Sequence, residues 1–252
     1  MVLVKTCGLQ THEAAQQAIN HQADLLGVIL VPGRSRTIDH QVAKQISQLV
    51  KTAREIKNPN FNKKEFFAEL LNGEHTYTSA AEYYSHVQSE LHKHGPFLVG
   101  VFQNQSVDDI KQIITETDID IVQLHGAEDK LSYVSELLSV PVISRYLVND
   151  LQDSSVLNNE ILATGKHLLL LLDSEKGGDG KTLNWDLIND LNRDATVKFV
   201  LAGGLSCENV KEAVLKVNGV IGVDVSSGIE TNKVKDLAKI ETFIKNARVG
   251  SA

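Results

Sequence analysis

The stretch FLVGVFQNQSVDDIKQIITETDIDIVQL, residues 97–124, carries one complete turn of the pattern that decides the fold. It opens on the apolar run FLVGVF and crosses a short polar link to Ser106. A serine hydroxyl suits a helix N-cap, and Asp109, three residues on, stands at capping-box spacing. VDDIKQII then reads as helix, and a second apolar run, IDIVQL, begins at Ile119, 22 residues after the first. Strand, capped helix and strand in that compass make a βα unit, with the two strands parallel.

The same step repeats along the chain. Further runs are VLVKT from Val2, LLGVIL from Leu25, PVISRY from Pro141, HLLLLLD from His167, VKFVLA from Val197 and VIGVDV from Val220, eight in all. Most are continuously apolar rather than alternating, as strands covered on both faces must be. Helix starts lie between them: Thr11 before HEAAQQAI, Asn184 before WDLINDL, and Ser206 before CENVKEAVLKV. Six of the seven steps between strand starts are 22 to 30 residues long. With the final helical segment KVKDLAKIETFIKN, this predicts an α/β chain folded as a single-domain (β/α)8 TIM barrel over residues 1–252. The structural rival is a doubly wound open sheet. Eight even repeats and the lack of an early G-x-G-x-x-G turn count against it.

The remaining step, between strands 2 and 3, is 72 residues long and predicts a partly helical insertion at about residues 54–95. Its first part, KNPNFNKKEFF, is polar and turn-prone. In its second part Ala80, Tyr84, Val87 and Leu91 recur at helical spacing before Gly95-Pro96. Four histidines fall here, His75, His86, His92 and His94, without a cluster of carboxylates or thiols around them. The segment therefore reads as a solvated decoration and not as a metal site.

A net charge of −7 on 252 residues argues against nucleic acid or an anionic membrane as partner, although a small anionic substrate needs only local donors. MVLVKTCGLQ lacks the basic and apolar regions of a signal peptide, and no run approaches about 18 apolar residues. The expectation is a cytoplasmic protein whose two cysteines, Cys7 and Cys207, are free thiols.

A barrel of this kind works at the carboxyl ends of its strands. Those ends carry Cys7; Arg34 and Arg36; Gln103 and Asn104; Gln123 and His125; Arg145; Asp173; Gly203 and Gly204; and Asp224, Ser226, Ser227 and Gly228. AGGLSCENV and SSGIE, after strands 7 and 8, are glycine- and hydroxyl-rich turns where such barrels often hold phosphate. Asp173 closes a run of five leucines, an apolar setting that suits a general acid. Its alternative is a structural pair with Lys5. Cys7 reads either as a small buried hydrophobe or as a reactive thiol, and Cys207 as a packing residue. GGDGKTLNW, from Gly177, lacks the P-loop order and reads as a lid.

Taken together and in order, VKTCGL, GVILVPGRSRTI, VGVFQNQS, IVQLHGAE, LLLDSEKGGDGKTLNW, VLAGGLSCENV and GVDVSSGIE resemble the phosphoribosylanthranilate isomerase family of tryptophan biosynthesis. The insertion resembles the longer, fungal-type members. The resemblance implies a cofactor-free Amadori rearrangement of N-(5-phosphoribosyl)anthranilate to 1-(o-carboxyphenylamino)-1-deoxyribulose 5-phosphate; no metal ligands are expected, and the expected partner is the small substrate alone, bound by a monomer. Carried over by motif, Cys7 is the general base and Asp173 the general acid. Arg36 holds the anthranilate part, Asp224 lines the site near the sugar, and His125 stands at the mouth. Gly203, Gly204, Ser226, Ser227 and Gly228 bind the phosphate. Lys5 is the candidate for easing ionisation of the Cys7 thiol. Rival enzymes fit less well: a pentulose-phosphate epimerase wants metal ligands on the strand ends, and indole-glycerol-phosphate synthase wants catalytic lysines. A rival of another class is a non-catalytic barrel that binds sugar phosphates or docks a partner.

Overall fold

The computed structural model describes residues 1–72, 75–138, 140–173 and 184–249. Its eight principal strands are β1 (Leu3–Thr6), β2 (Leu25–Ile29), β3 (Phe97–Phe102), β4 (Ile121–Leu124), β5 (Val142–Leu147), β6 (Leu169–Asp173), β7 (Phe199–Leu201) and β8 (Val220–Val225). They run parallel and close in chain order, with β8 paired back onto β1, so the (β/α)8 barrel is the fold. The outer layer comprises α1 (His12–Asn20), α2 (His40–Lys57), α3 (Lys63–Asn72), α4 (Ala80–His94), α5 (Val107–Thr117), α6 (Lys130–Leu137), α7 (Ser154–Val156), α8 (Trp185–Leu191), α9 (Val210–Lys216) and α10 (Leu237–Val249). Every residue of β1, β3, β4 and β6 is buried, which is why these strands read as mainly apolar runs, with buried polar exceptions such as Lys5, Gln123 and Asp173.

Residues 97–124 fold as β3–α5–β4. Ser106 Oγ accepts the Asp109 N–H at 3.1 Å and donates to Asp109 Oδ2 at 2.6 Å, and Asp118 ends the helix at φ +52°. β4 starts two residues later than its apolar run because Asp120 has another task. Its carboxylate takes the Leu98 N–H at 2.8 Å and is gripped by Arg54. Asp24 stands likewise before β2, accepting the Val4 N–H at 2.7 Å and facing Arg248 and His92. These buried carboxylates satisfy strand-edge donors at the lower rim and are themselves paired, as burial of a charge requires. One expected start is displaced. Ser206 opens a turn, and α9 begins only after its own N-cap, Asn209.

The long step between β2 and β3 holds α2, α3 and α4, and the second part of segment 54–95 is not a solvated decoration. Ala80, Tyr83, Tyr84, Val87 and Leu91 are all buried. The Tyr83 hydroxyl donates to His167 O, the Tyr84 hydroxyl to Ile161 O, and Gln88 Nε2 to both Met1 O and Ile221 O. These acceptors lie at or before the amino-terminal ends of β1, β6 and β8, so α4 spans the bottom of the barrel as its floor. Sequence periodicity finds the face but not what covers it. Upstream, Phe61, Phe66 and Phe67 pack on Phe97, and the Arg54 guanidinium lies over the Phe61 and Phe97 rings while holding Asp120. The four histidines form no single cluster: His92 pairs with Asp24, His94 rests against Phe61, Phe66 and Glu90, and the His75 ring lies tilted against that of His86.

Candidate active site

A cavity of about 540 Å³ opens at the carboxyl ends of the strands. It brings together Cys7, Asp173, Arg36, His125 and Asp224 with Gly203, Gly204, Ser226 and Ser227, and adds Arg34, Gln103, Gln123 and Arg145. Two strand-end candidates lie elsewhere. Asn104 takes φ +59° and binds the neighbouring loop, its Oδ1 accepting the Ala127 N–H. Gly228 packs beneath the turn instead of lining the cavity. Cys207 is a packing residue, its thiol donating to Lys239 O at 3.3 Å. The proposed lid, Gly177–Gly180, lies outside the described residues.

Cys7 follows β1 and is 5% exposed. Its N–H donates to Val225 O at 2.7 Å, which ties it to β8. The thiol fits because Gly27 stands beside it: a Cβ at Gly27 would lie 2.7 Å from Cys7 Sγ. Lys5, two residues earlier, points to the same face and is 1% exposed. Its partner is Asp224, at 2.9 Å, and not Asp173. The register explains this, since Lys5 and Asp224 are paired positions on neighbouring strands β1 and β8, whereas Asp173 ends β6. Burial alone would lower Lys5, but Asp224 and the nearby thiolate outweigh it and hold the ammonium above its ordinary value. Burial pushes the Cys7 thiol up, with Lys5 pulling it down, Asp224 pushing it further up and Lys235 also pulling it down. The net direction is upward, so Lys5 moderates the thiol without overcoming its desolvation.

Asp173 is 5% exposed, yet its surroundings are not purely apolar. Arg145 Nε lies 3.3 Å and His125 Nε2 3.6 Å from its Oδ2. Arg145 reaches it because Leu147 of β5 is paired with Asp173, placing Arg145 on the inner face next door. Desolvation, reinforced by the Arg145 charge, pushes His125 down to about 4, so its imidazole is neutral. Gln123 Nε2 stands 3.4 Å from His125 Nδ1, and Gln123 Oε1 is buried without a partner among the described residues.

Arg36 does not stand alone at the mouth. Glu230, which sequence reading missed, holds it through Nε at 2.7 Å and Nη2 at 2.9 Å. Glu230 also accepts from Lys235 Nζ at 2.8 Å. The two belong to a small hairpin, β9 (Glu230–Thr231) and β10 (Val234–Lys235), that follows the last barrel strand. Burial would raise Glu230, but its bonds to Arg36 and Lys235 hold it down to about 2. The one signal in sequence was the position of Glu230 within GVDVSSGIE.

The two glycine-rich turns meet across the other side of the mouth. Gly203 and Gly204 take φ +78° and +67°, a region that a Cβ disfavours. Asn209 fixes this turn, donating to Gly204 O and accepting the Ser206 N–H. Opposite, Ser227–Ile229 form a single 3₁₀ turn whose first N–H groups have no partner within it. Gly228 is obligatory there, because a Cβ would lie 2.0 Å from Leu205 O. Ser226 Oγ is buried without a hydrogen-bond partner among the described residues. Amides with no partner inside their own turn, beside the unpartnered Ser226 hydroxyl, can receive an anion. No three His, Cys, Asp or Glu side chains gather in metal-binding geometry among the described residues.

The closed sheet with polar side chains gathered on its strand ends defines the class, a (β/α)8-barrel enzyme. The family model described as N-(5'phosphoribosyl)anthranilate (PRA) isomerase matches residues 68–246. N-(5'-phosphoribosyl)anthranilate isomerase of Komagataella pastoris is 45% identical over 247 residues, covering 98% of this chain and 100% of the relative. That of Wickerhamomyces anomalus is 44% identical over 246 residues, covering 98% and 99%. A crystal structure of phosphoribosyl anthranilate isomerase in complex with reduced 1-(o-carboxyphenylamino)-1-deoxyribulose 5-phosphate aligns over 99% of this chain and 100% of its own, at 28% identity and a TM-score of 0.67. The chain belongs to the N-(5'-phosphoribosyl)anthranilate isomerase family.

Proposed function

We propose that this chain catalyses the Amadori rearrangement of N-(5'-phosphoribosyl)anthranilate to 1-(o-carboxyphenylamino)-1-deoxyribulose 5-phosphate, with Asp173 as general acid and Cys7 as general base. The observation that carries the assignment of roles is that one cavity holds a nearly buried thiol and a nearly buried carboxylate on different strands. Asp173 gives a proton to the ribose ring oxygen, the C1–O bond breaks, and a protonated imine forms. Arg145 and the neutral His125 stand against the Asp173 side chain and orient it, and its protonated form is the donor. The imine acidifies the C2 hydrogen, and the Cys7 thiolate removes it to give an enolamine, which tautomerises to the ketone with a proton at C1. The positive charge of the imine adds to those of Lys5 and Lys235 in favouring the thiolate when it is needed.

In this reading Gly203, Gly204, Ser226 and Ser227 bind the phosphate through backbone N–H groups and the free hydroxyl of Ser226, and Gly228 gives their turn its shape. Asp224 faces the sugar while anchoring Lys5. Residues 54–95 are an insertion into the barrel, and the chain works as a cytoplasmic monomer without cofactor. Among the described residues no helix is long and apolar enough to cross a membrane. Loss of the substrate's anthranilate fluorescence on mixing with pure protein tests the activity directly. Cys7→Ala and Asp173→Asn are each expected to lower kcat by about 10²-fold or more, the scale of a lost general acid or base, while still binding a product analogue. Turnover by both variants at the wild-type rate would refute the roles.

A further inference from the structure

The acid–base chemistry leaves one buried charge at the mouth without a task, and that is Glu230. Its side chain is 7% exposed. Oε1 accepts from Arg36 Nε at 2.7 Å and Lys235 Nζ at 2.8 Å, and Oε2 accepts from Arg36 Nη2 at 2.9 Å. Lys235 Nζ is fixed a second time by Ser226 O, at 2.8 Å. All of this sits over Gly8, the residue after Cys7: a Cβ there would lie 3.0 Å from both Arg36 Cδ and Ser226 Oγ and 3.3 Å from Lys235 Nζ.

The geometry of the guanidinium gives this cluster a direction. Arginine presents its N–H donors in a rigid planar fork, with more than one edge able to take a carboxylate. Glu230 occupies the Nε/Nη2 edge, which leaves the Nη1/Nη2 edge for another planar anion, and Arg36 lines the cavity. One carboxylate faces two cations, so the cluster keeps a surplus positive charge that an incoming anion meets. An arginine already held in place also loses less side-chain freedom on binding than one that swings freely.

We propose that Glu230 is a positioning residue of the substrate site: braced on Lys235, it grips one edge of Arg36 so that the other edge meets the ring carboxylate of the substrate. It touches no substrate itself and acts only through Arg36. The inference rests on the isomerase reading above, and it adds to that reading the group that orients the arginine.

Glu230→Gln keeps the size of the side chain and removes the charge that holds both cations. Two probes separate positioning from general damage. One is reduced 1-(o-carboxyphenylamino)-1-deoxyribulose 5-phosphate, and the other is the same compound without the ring carboxylate. By calorimetry, E230Q is expected to lose at least about tenfold in affinity for the first probe, the scale of a charge-assisted hydrogen bond, and less than about twofold for the second. In steady-state kinetics KM rises while kcat stays within about threefold. If E230Q proves unfolded by thermal melting, Glu230→Asp, which keeps the charge but shortens the reach, takes the same comparison with the same expected result. Equal losses for the two probes, or no loss for either, overturn the proposal. A wild-type chain that turns over no substrate overturns the isomerase reading and the inference with it. A wild type that turns it over beside an E230Q unaltered toward both probes overturns the inference alone.

Discussion

At Cys7 two requirements oppose each other. The base must lose a proton, yet it stands where water is excluded and its own charge is disfavoured. Lys5 is the built-in counterweight. Replacing Lys5 by Met removes a cation that pulls the thiol down, so the pH at which Cys7 becomes alkylatable moves upward from its wild-type position; an unmoved alkylation profile would show that the lysine serves Asp224 alone. Much of this residue-scale picture was legible in sequence. Lys5 two residues before Cys7 must share its inward face. The sequence offered Asp173 only as an alternative partner for Lys5; the partner is Asp224 because β8 meets β1 in a register that pairs the two positions, and no local pattern carries that register. Glu230 was missed for a related reason: a carboxylate just past a glycine turn reads as solvated until the hairpin folds Lys235 onto it.

The hairpin of β9 and β10 carries both the carboxylate and the ammonium of that cluster, so its turn matters to the site. Asn232 and Lys233 join the strands at φ +53° and +65°, the type I′ geometry that suits Asn at the first position and glycine at the second. Lys233→Gly is expected to stabilise the protein by about 0.5–1 kcal/mol, as relief of a left-handed side chain exceeds the entropy that glycine adds to the unfolded state. Urea unfolding checks this, and a lower midpoint would contradict it. Among the larger elements, those built on local signals were readable: the caps at Thr11, Ser106 and Asn184 each accept the N–H expected of them. α4 was readable as a helix but not as a floor. Its periodicity marks Tyr84, Val87 and Leu91 as one buried face, while the acceptors that define its place come from residues 1, 161, 167 and 221.

For the whole molecule, even spacing of apolar runs was enough to specify a closed barrel, because each βα unit is a local structure and closure needs only their number. Two histidines, His167 buried and His125 half-buried, contribute to its response to acid. His125 and His167 are both pushed down to about 4, chiefly by desolvation, and His167 is fully enclosed between Ser144 Oγ and the Tyr146 hydroxyl. The unfolded chain binds protons at these groups below about pH 6.5 and the folded chain does not until near 4. Their contribution is therefore full above that upper value and is lost as the pH falls between the two. Urea midpoints at pH 7 and 5 are expected to show the loss, and His167→Gln to reduce it; an undiminished slope in that variant would assign the acid sensitivity elsewhere. The floor helix has a consequence for the order of events at the ribosome. α4 is complete when less than half of the chain has been made, but Ile221, which receives Gln88, is among the last strand residues to emerge. Until then a nascent chain carries a sticky, tyrosine-rich helix with no full cover, and its protection during synthesis depends on how fast the final third follows.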